Sequence, residues 1–113
     1  MATARRTITI VYTAGVDGTQ TIEALTNTSS PAEIEYVTLA SGANTLTKPT
    51  GARCCTIVPP AGNTTAITLK GVTGDTGIAL HLTDPAEVTM ADAATSFCLT
   101  AAAELAGVRL FWS

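Results

Sequence analysis

The 113-residue sequence has little charge and few aromatic side chains. Charged residues make up 13% of the chain and aromatic residues 4%, whereas an ordinary soluble domain carries about 25% charged residues. With a mean hydropathy of +0.33, the chain has too little charge to cover a monomer's surface in the usual way. Part of that surface is therefore expected to lie against other protein, and the core has to be built from Val, Ile, Leu and Ala.

Three further absences exclude classes of protein. The six Lys and Arg residues are scattered, apart from Arg5-Arg6, and the net charge is -3, so the positive surface that nucleic acid requires is missing. No segment approaches the roughly 20 apolar residues of a membrane-spanning helix. Residues 1–6 are not followed by the apolar segment of a signal peptide. We therefore expect synthesis in a cytoplasm, with neither nucleic acid nor a membrane as partner.

Cysteine and histidine are too few, and wrongly spaced, for a metal site. Cys54 and Cys55 are adjacent, Cys98 stands alone, and His81 is the single histidine. None of the usual zinc spacings occurs. The cysteines are predicted to be small apolar core residues, with Cys54 and Cys55 on opposite faces of a strand. A bridge from Cys98 to one of them is left open, and neither a metal nor another cofactor is predicted.

Threonine is abundant and predicts an all-β protein. It occurs 22 times and recurs at every second position in places such as 45–47, and β-branched residues resist helix and suit a pleated, half-buried surface. Short apolar runs alternate with turn residues at the spacing of a sandwich or barrel, and no helical crossover for a parallel sheet is present. We therefore predict an antiparallel β-sandwich of about ten strands. They span residues 7–13, 19–26, 33–40, 45–47, 52–58, 64–70, 78–82, 86–90, 95–100 and 107–112.

The C-terminal strand gives the sharpest single signal, because it is apolar on both faces. Val108, Leu110 and Trp112 point to one side. Arg109 and Phe111 point to the other, where a strand with one wet face would have polar residues. So short a chain has little material to cover both faces, which favours a partner subunit. The predicted contacts between subunits are Val108, Leu110, Phe111 and Trp112, with Tyr12, Ile34 and Tyr36 as weaker candidates.

Several short motifs occur in a fixed order in the second part of the chain. They are Gly42-Ala43-Asn44-Thr45-Leu46-Thr47, Pro49-x-Gly51-Ala52, Ile57-Val58-Pro59-Pro60-x-Gly62-Asn63, Ile67-Thr68-Leu69-Lys70-Gly71-Val72-x-Gly74-Asp75-Thr76-Gly77, Leu80-His81 and Gly107-Val108-Arg109-Leu110-Phe111-Trp112. With these motifs residues 41–113 resemble small β-sandwich virion proteins encoded in structural-gene regions of tailed bacteriophages. The length of the chain predicts one domain over 1–113. The resemblance implies a jelly-roll-like core in 41–113, which follows the N-terminal strands predicted in 1–40.

The same resemblance implies a non-enzymatic assembly protein of the virion, made in the host cytoplasm. The favoured form is a capsid-decoration or minor capsid protein, a homo-oligomer with a trimer favoured, bound to the major capsid or tail protein of the same particle. A tail or baseplate accessory, or a receptor-binding module, is the alternative. The resemblance implies no catalytic residues. It leaves open whether residues 1–40 complete the same sandwich or reach across to a neighbouring copy.

A dimeric aspartic protease is a remote alternative, based on the triplet Asp75-Thr76-Gly77. That reaction needs two such carboxylates sharing a proton, and an apolar strand should lead into the Asp. Here Val72-Thr73-Gly74 precedes it. The triplet is therefore predicted to be a glycine-rich turn in which the Asp75 side chain caps backbone N–H groups. The same capping role is predicted for Asp17, Asp84 and Asp92.

Overall fold

The structure is a computed structural model that describes residues 4–11, 19–27 and 33–113. Within these ranges every regular element is a β-strand, as the excess of β-branched residues leads one to expect. No helix in the same ranges is long and apolar enough to cross a membrane. The strands are β1 (Ala4–Val11), β2 (Thr19–Asn27), β3 (Glu33–Leu39), β4 (Gly42–Thr47), β5 (Cys54–Val58), β6 (Ile67–Lys70), β7 (Ile78–Ala79), β8 (Ala86–Thr89), β9 (Ser96–Ala101) and β10 (Leu105–Trp112).

Eight of these strands form two four-stranded antiparallel sheets. The first sheet has the order β3-β10-β5-β8 and the second the order β4-β9-β6-β7. Strands β1 and β2 pair with each other in a separate two-stranded sheet. The prediction of an all-β, antiparallel protein is confirmed, and the two sheets are compatible with a β-sandwich. The sheets contain eight strands, however, rather than the ten predicted.

The eight strands pair in a nested order. The first, β3, pairs with the last, β10; β4 pairs with β9, β5 with β8, and β6 with β7. Two further pairings, β10 with β5 and β9 with β6, close the sheets. Residues 33–113 thus follow the path of one long antiparallel hairpin, with β6 and β7 on either side of its turn. The pairings of β10 with β5 and of β9 with β6 divide this hairpin between the two sheets. β3, which the sequence grouped with the N-terminal strands, is an edge strand of the first sheet.

One apolar core lies between the two sheets. The rings of Phe97 in the second sheet and Trp112 in the first contact each other across this core. Their centroids lie 5.9 Å apart and their planes are inclined by 50°. The indole Nε1–H of Trp112 donates to Glu35 Oε2 at 3.0 Å, so this donor is paired despite its burial. The largest fully buried side chains are Leu39, Ile57, Ile67, Leu99, Leu110, Val108, Cys54 and Cys55.

The inward-facing residues of the C-terminal strand, predicted as contacts between subunits, are instead covered within the chain. Val108 and Leu110 are 0% exposed and Trp112 is 2% exposed. The reason is topological: the nested pairing places β10 between β3 and β5, inside a sheet, and the second sheet of the same chain packs over its inward face. These three side chains therefore offer no surface to a partner. Arg109 and Phe111, on the opposite side of β10, point outward.

Replacing Leu110 with Ala is expected to lower the free energy of unfolding by about 2–5 kcal/mol, because it leaves a cavity at a fully buried position. Urea unfolding followed by the fluorescence of the single tryptophan measures the change. The matched control is Val72→Ala, a side chain that is 64% exposed, which should change stability by no more than about 0.5 kcal/mol. Equal effects of the two substitutions would contradict this description of the core.

Candidate interaction surface

The outward face of the first sheet presents a contiguous apolar strip, defined here by Ile34, Tyr36, Val58 and Phe111. Phe111 on β10 lies opposite Ile34 on β3. Arg109 on β10 lies opposite both Tyr36 on β3 and Val58 on β5. Directly opposed residues of antiparallel strands project from the same face of a sheet. The apolar strip therefore runs across three adjacent strands and reaches the free edge of β3.

Two members of the apolar strip are large and open to solvent. Ile34 is 55% exposed and Tyr36 is 74% exposed, while Phe111 and Val58 are half-buried. Scattered exposed apolar residues are normal on a protein surface, but contiguous ones mark a contact surface more often. The residues of the apolar strip lie on adjacent strands and are therefore contiguous.

Arg109 adds one positive charge to the middle of the apolar strip. Its guanidinium carbon lies 5.7 Å from the centroid of the Phe111 ring, which is within the range of a cation–π contact. The side chain is exposed, so the charge remains available to an acidic group. A partner that combines an apolar surface with a carboxylate would match this arrangement.

The other half of the same outward face, on β5 and β8, is polar, and its Cys54 is buried. Cys54 lies opposite Thr89, and Thr56 opposite Glu87. Arg6 on β1 reaches these residues: it forms an ion pair with Glu87, and its Nη1 donates to Thr89 Oγ1 at 3.4 Å. The β1–β2 hairpin thus contacts the sheet on the side away from the apolar strip.

All three cysteines are buried free thiols, so the bridge left open for Cys98 is not formed. Cys55 lies in the core opposite Trp112, while Cys54 takes the outward face. The prediction that these neighbours point to opposite faces is confirmed. Burial raises the pKa of the Cys55 thiol to about 12. Burial also raises the pKa of Cys54, while the nearby Arg6 charge acts in the opposite direction.

The aspartic-protease triplet occupies the connection between β6 and β7. The carboxylate of Asp75 accepts the backbone N–H of Val72 at 3.1 Å, and Asp75 N–H donates to the Val72 carbonyl at 3.2 Å. The turn-capping prediction for Asp75 is confirmed. Gly77 has φ +78°, and a Cβ there would approach the Leu69 carbonyl oxygen to 2.5 Å. This glycine is thus explained by the tight passage of the loop past β6.

His81 closes a second turn. Its Nδ1 accepts the backbone N–H groups of Asp84 at 2.9 Å and of Thr83 at 3.2 Å. The carboxylate Oδ1 of Asp84 lies 3.7 Å from the same nitrogen. The hydroxyl Oγ1 of Thr83 also lies 3.5 Å from this Nδ1, so the imidazole contacts both the backbone and a side chain of the turn.

The carboxylate of Asp92 does not take the capping role predicted for it. Its Oδ1 lies 3.5 Å from Arg53 Nε, in an ion pair whose two side chains are both exposed. A groove of about 320 Å³ is lined in part by Lys48 and Asp92. The Lys48 ammonium donates to the backbone carbonyls of Ala52, at 2.8 Å, and Asp92, at 3.3 Å. Over the described part of the chain, no group of three or more His, Cys, Asp or Glu residues could hold a metal ion.

The predicted contact residues divide into three groups. Ile34, Tyr36 and Phe111 come together in the apolar strip, although they are far apart in sequence. Val108, Leu110 and Trp112 lie in the core instead. Tyr12 lies outside the described residues, as does Asp17, for which turn capping was predicted. Arg109 and Val58 were not among the predicted contacts. The alternation along β10 places Arg109 on the side of Phe111, whereas Val58 is found only through the strand register.

Comparison of the chain with protein-family models, with curated proteins and with solved structures gives no match. The class of protein is therefore defined by its own residues. It is an all-β protein of two four-stranded antiparallel sheets, with an apolar strip on the outward face of one sheet.

Alkaline conditions are expected to destabilise the folded chain through Cys55. The thiol ionises near pH 9.0 when unfolded and near pH 12 when folded, so its contribution is fully present below pH 9.0 and is lost as the pH rises towards 12. The free energy of unfolding should fall by up to about 1.4 kcal/mol per pH unit in this window. Urea unfolding at about pH 8 and about pH 10.5 measures this slope.

The control for this slope is Cys55→Ala, which removes the titrating thiol but leaves Cys54 in place. The substitution should make the decline at alkaline pH shallower, so it should lower stability less at about pH 10.5 than at about pH 8. Identical slopes in the two proteins would show that Cys55 ionises as readily in the folded chain as in the unfolded one.

Proposed function

We propose that this chain is a non-enzymatic structural protein of a tailed-phage virion, a capsid-decoration or minor capsid protein that acts as a homo-oligomer. The observation on which the proposal depends is the apolar strip on the outward face of β3, β10 and β5. It displays Ile34 and Tyr36 on a chain with only 13% charged residues. A protein that functions by contact with other copies and with a particle surface needs such a face.

The finer fold belongs to the same proposal: we infer a jelly roll. The nested pairing of β3 with β10, β4 with β9, β5 with β8 and β6 with β7 fits eight strands rolled into two sheets, as in a double-sheet jelly roll. This agrees with the resemblance of residues 41–113 to phage virion proteins and moves the start of the module back to Glu33. Lectins and cupins share the architecture, so the choice among functions depends on the apolar strip and not on the fold.

In the proposed oligomer the apolar strip is the contact between copies, in place of the buried residues of β10. Ile34 and Tyr36 would lose their solvent contact, and Phe111 would become fully buried. Arg109 would receive a carboxylate from the neighbouring copy, since a desolvated guanidinium needs an acidic partner. The free edge of β3 would be covered at the same time, which protects it from pairing with stray strands.

The double substitution Ile34→Asp/Tyr36→Asp is expected to convert the oligomer into a monomer. It places two carboxylates on the apolar strip without touching the core, because both side chains are more than half exposed. Light scattering across a dilution series should show an oligomer for the natural chain and a monomer for the variant. The matched control is Val72→Asp/Ile78→Asp, which charges two exposed apolar residues away from the apolar strip and should leave the oligomer intact.

A natural chain that is monomeric at every concentration would overturn the homo-oligomer. A variant that remains oligomeric, with an unchanged circular dichroism spectrum, would show that another surface makes the contact. Either result is decisive, because the control separates a general effect of added charge from an effect at the apolar strip.

The virion assignment is tested separately in particles made from the genome that encodes this chain. Mass spectrometry of density-purified particles should find the natural chain in many copies and the Ile34→Asp/Tyr36→Asp variant in far fewer. If the chain is absent from the particles while the purified protein is still an oligomer, the virion assignment is wrong, but the apolar strip remains the proposed contact between copies.

A further inference from the structure

The β1–β2 hairpin depends on side-chain contacts for its position on the molecule. Its two strands pair with each other and belong to neither four-stranded sheet. A two-stranded hairpin is at best marginally stable on its own in water. Among the side chains of the hairpin that the structure describes, Arg6 makes the polar contacts with the sheet, to Glu87 and Thr89 on β8.

A thiol lies under this contact. Cys54 is on the outward face of β5, opposite Thr89, and yet it is 0% exposed. The side chains of Thr89 and Glu87 lie close enough to the Cys54 thiol to influence its pKa, and Arg6 contacts the same two residues. An outward-facing side chain next to the edge strand of a sheet is buried in this way only when something covers it.

We propose that the β1–β2 hairpin is a displaceable cover, held on the first sheet by the Arg6–Glu87 ion pair, and that Cys54 becomes accessible when the cover lifts while both sheets remain folded. The side chains of the pair are 16% and 32% exposed, and an ion pair of this kind is a weak tether. Local opening of weakly held segments is more frequent than global unfolding. The inference does not rest on the proposed virion function.

The neighbouring cysteine provides an internal reference. Cys55 is on the core side of the same strand, so a reagent reaches it only when the sheets separate. Two single-thiol proteins, Cys55→Ala/Cys98→Ala and Cys54→Ala/Cys98→Ala, report the two positions separately through their rates of reaction with an aromatic disulfide reagent. We expect Cys54 to react at least tenfold faster than Cys55, and to react faster still at high salt, which screens the ion pair.

Two substitutions that break the ion pair distinguish opening from a change in thiol chemistry. Arg6→Gln removes a charge that lowers the pKa of Cys54, and Glu87→Gln removes one that raises it. An effect on the thiol alone would therefore slow the reaction in one variant and accelerate it in the other. Release of the cover predicts acceleration in both, by about fivefold.

The matched control is Asp92→Asn, which breaks the Arg53–Asp92 ion pair and should leave the Cys54 rate unchanged. Opposite effects of Arg6→Gln and Glu87→Gln would overturn the proposal. Equal rates at Cys54 and Cys55 would also overturn it, because exposure of Cys54 would then require global unfolding. If a variant is simply less stable, the Cys55 protein with the same substitution accelerates equally, and this outcome too counts against a local cover.

Discussion

The position of β10 between β3 and β5 is the constraint on which the rest of the structure depends. Both edges of a strand in the interior of a sheet are hydrogen-bonded to neighbouring strands, so only its two faces remain for contacts outside the sheet. Its inward face, with Trp112 against Phe97 of the second sheet, closes the core. Its outward face, with Arg109 and Phe111, has no second sheet over it within residues 4–11, 19–27 and 33–113, and it becomes the centre of the apolar strip.

The all-β class and most strand positions follow from the sequence because they depend on local signals. Alternation and turn residues fix where a strand such as Cys54–Val58 lies. They do not fix which strands pair, because pairing is decided by contacts such as Leu110 with Ile57, which are distant in sequence. For this reason the two-sided apolar character of β10 can be recognised from the sequence, but the pattern assigns Val108, Leu110 and Trp112 to a partner, whereas the chain's own second sheet covers these three.

The apolar strip was predictable to the same limited degree. Ile34 and Tyr36 could be identified as apolar residues on a strand that also holds Glu33 and Glu35, and Phe111 by its opposition to Trp112. Their convergence requires the pairing of β3 with β10. The Arg6–Glu87 ion pair joins residues 81 positions apart, and no pattern in the sequence connects them.

The two halves of the outward face show how a chain with little charge distributes it. Arg6 and Glu87 form an ion pair with each other, and this pair joins the β1–β2 hairpin to the polar half of the sheet. The apolar half receives a single guanidinium, which lies near the Phe111 ring and has no acidic partner opposite it on β3 or β5. A face that is apolar, bounded by a free edge and charged at one point is suited to a complementary protein surface, since such a surface would bury the edge, the rings and the charge together.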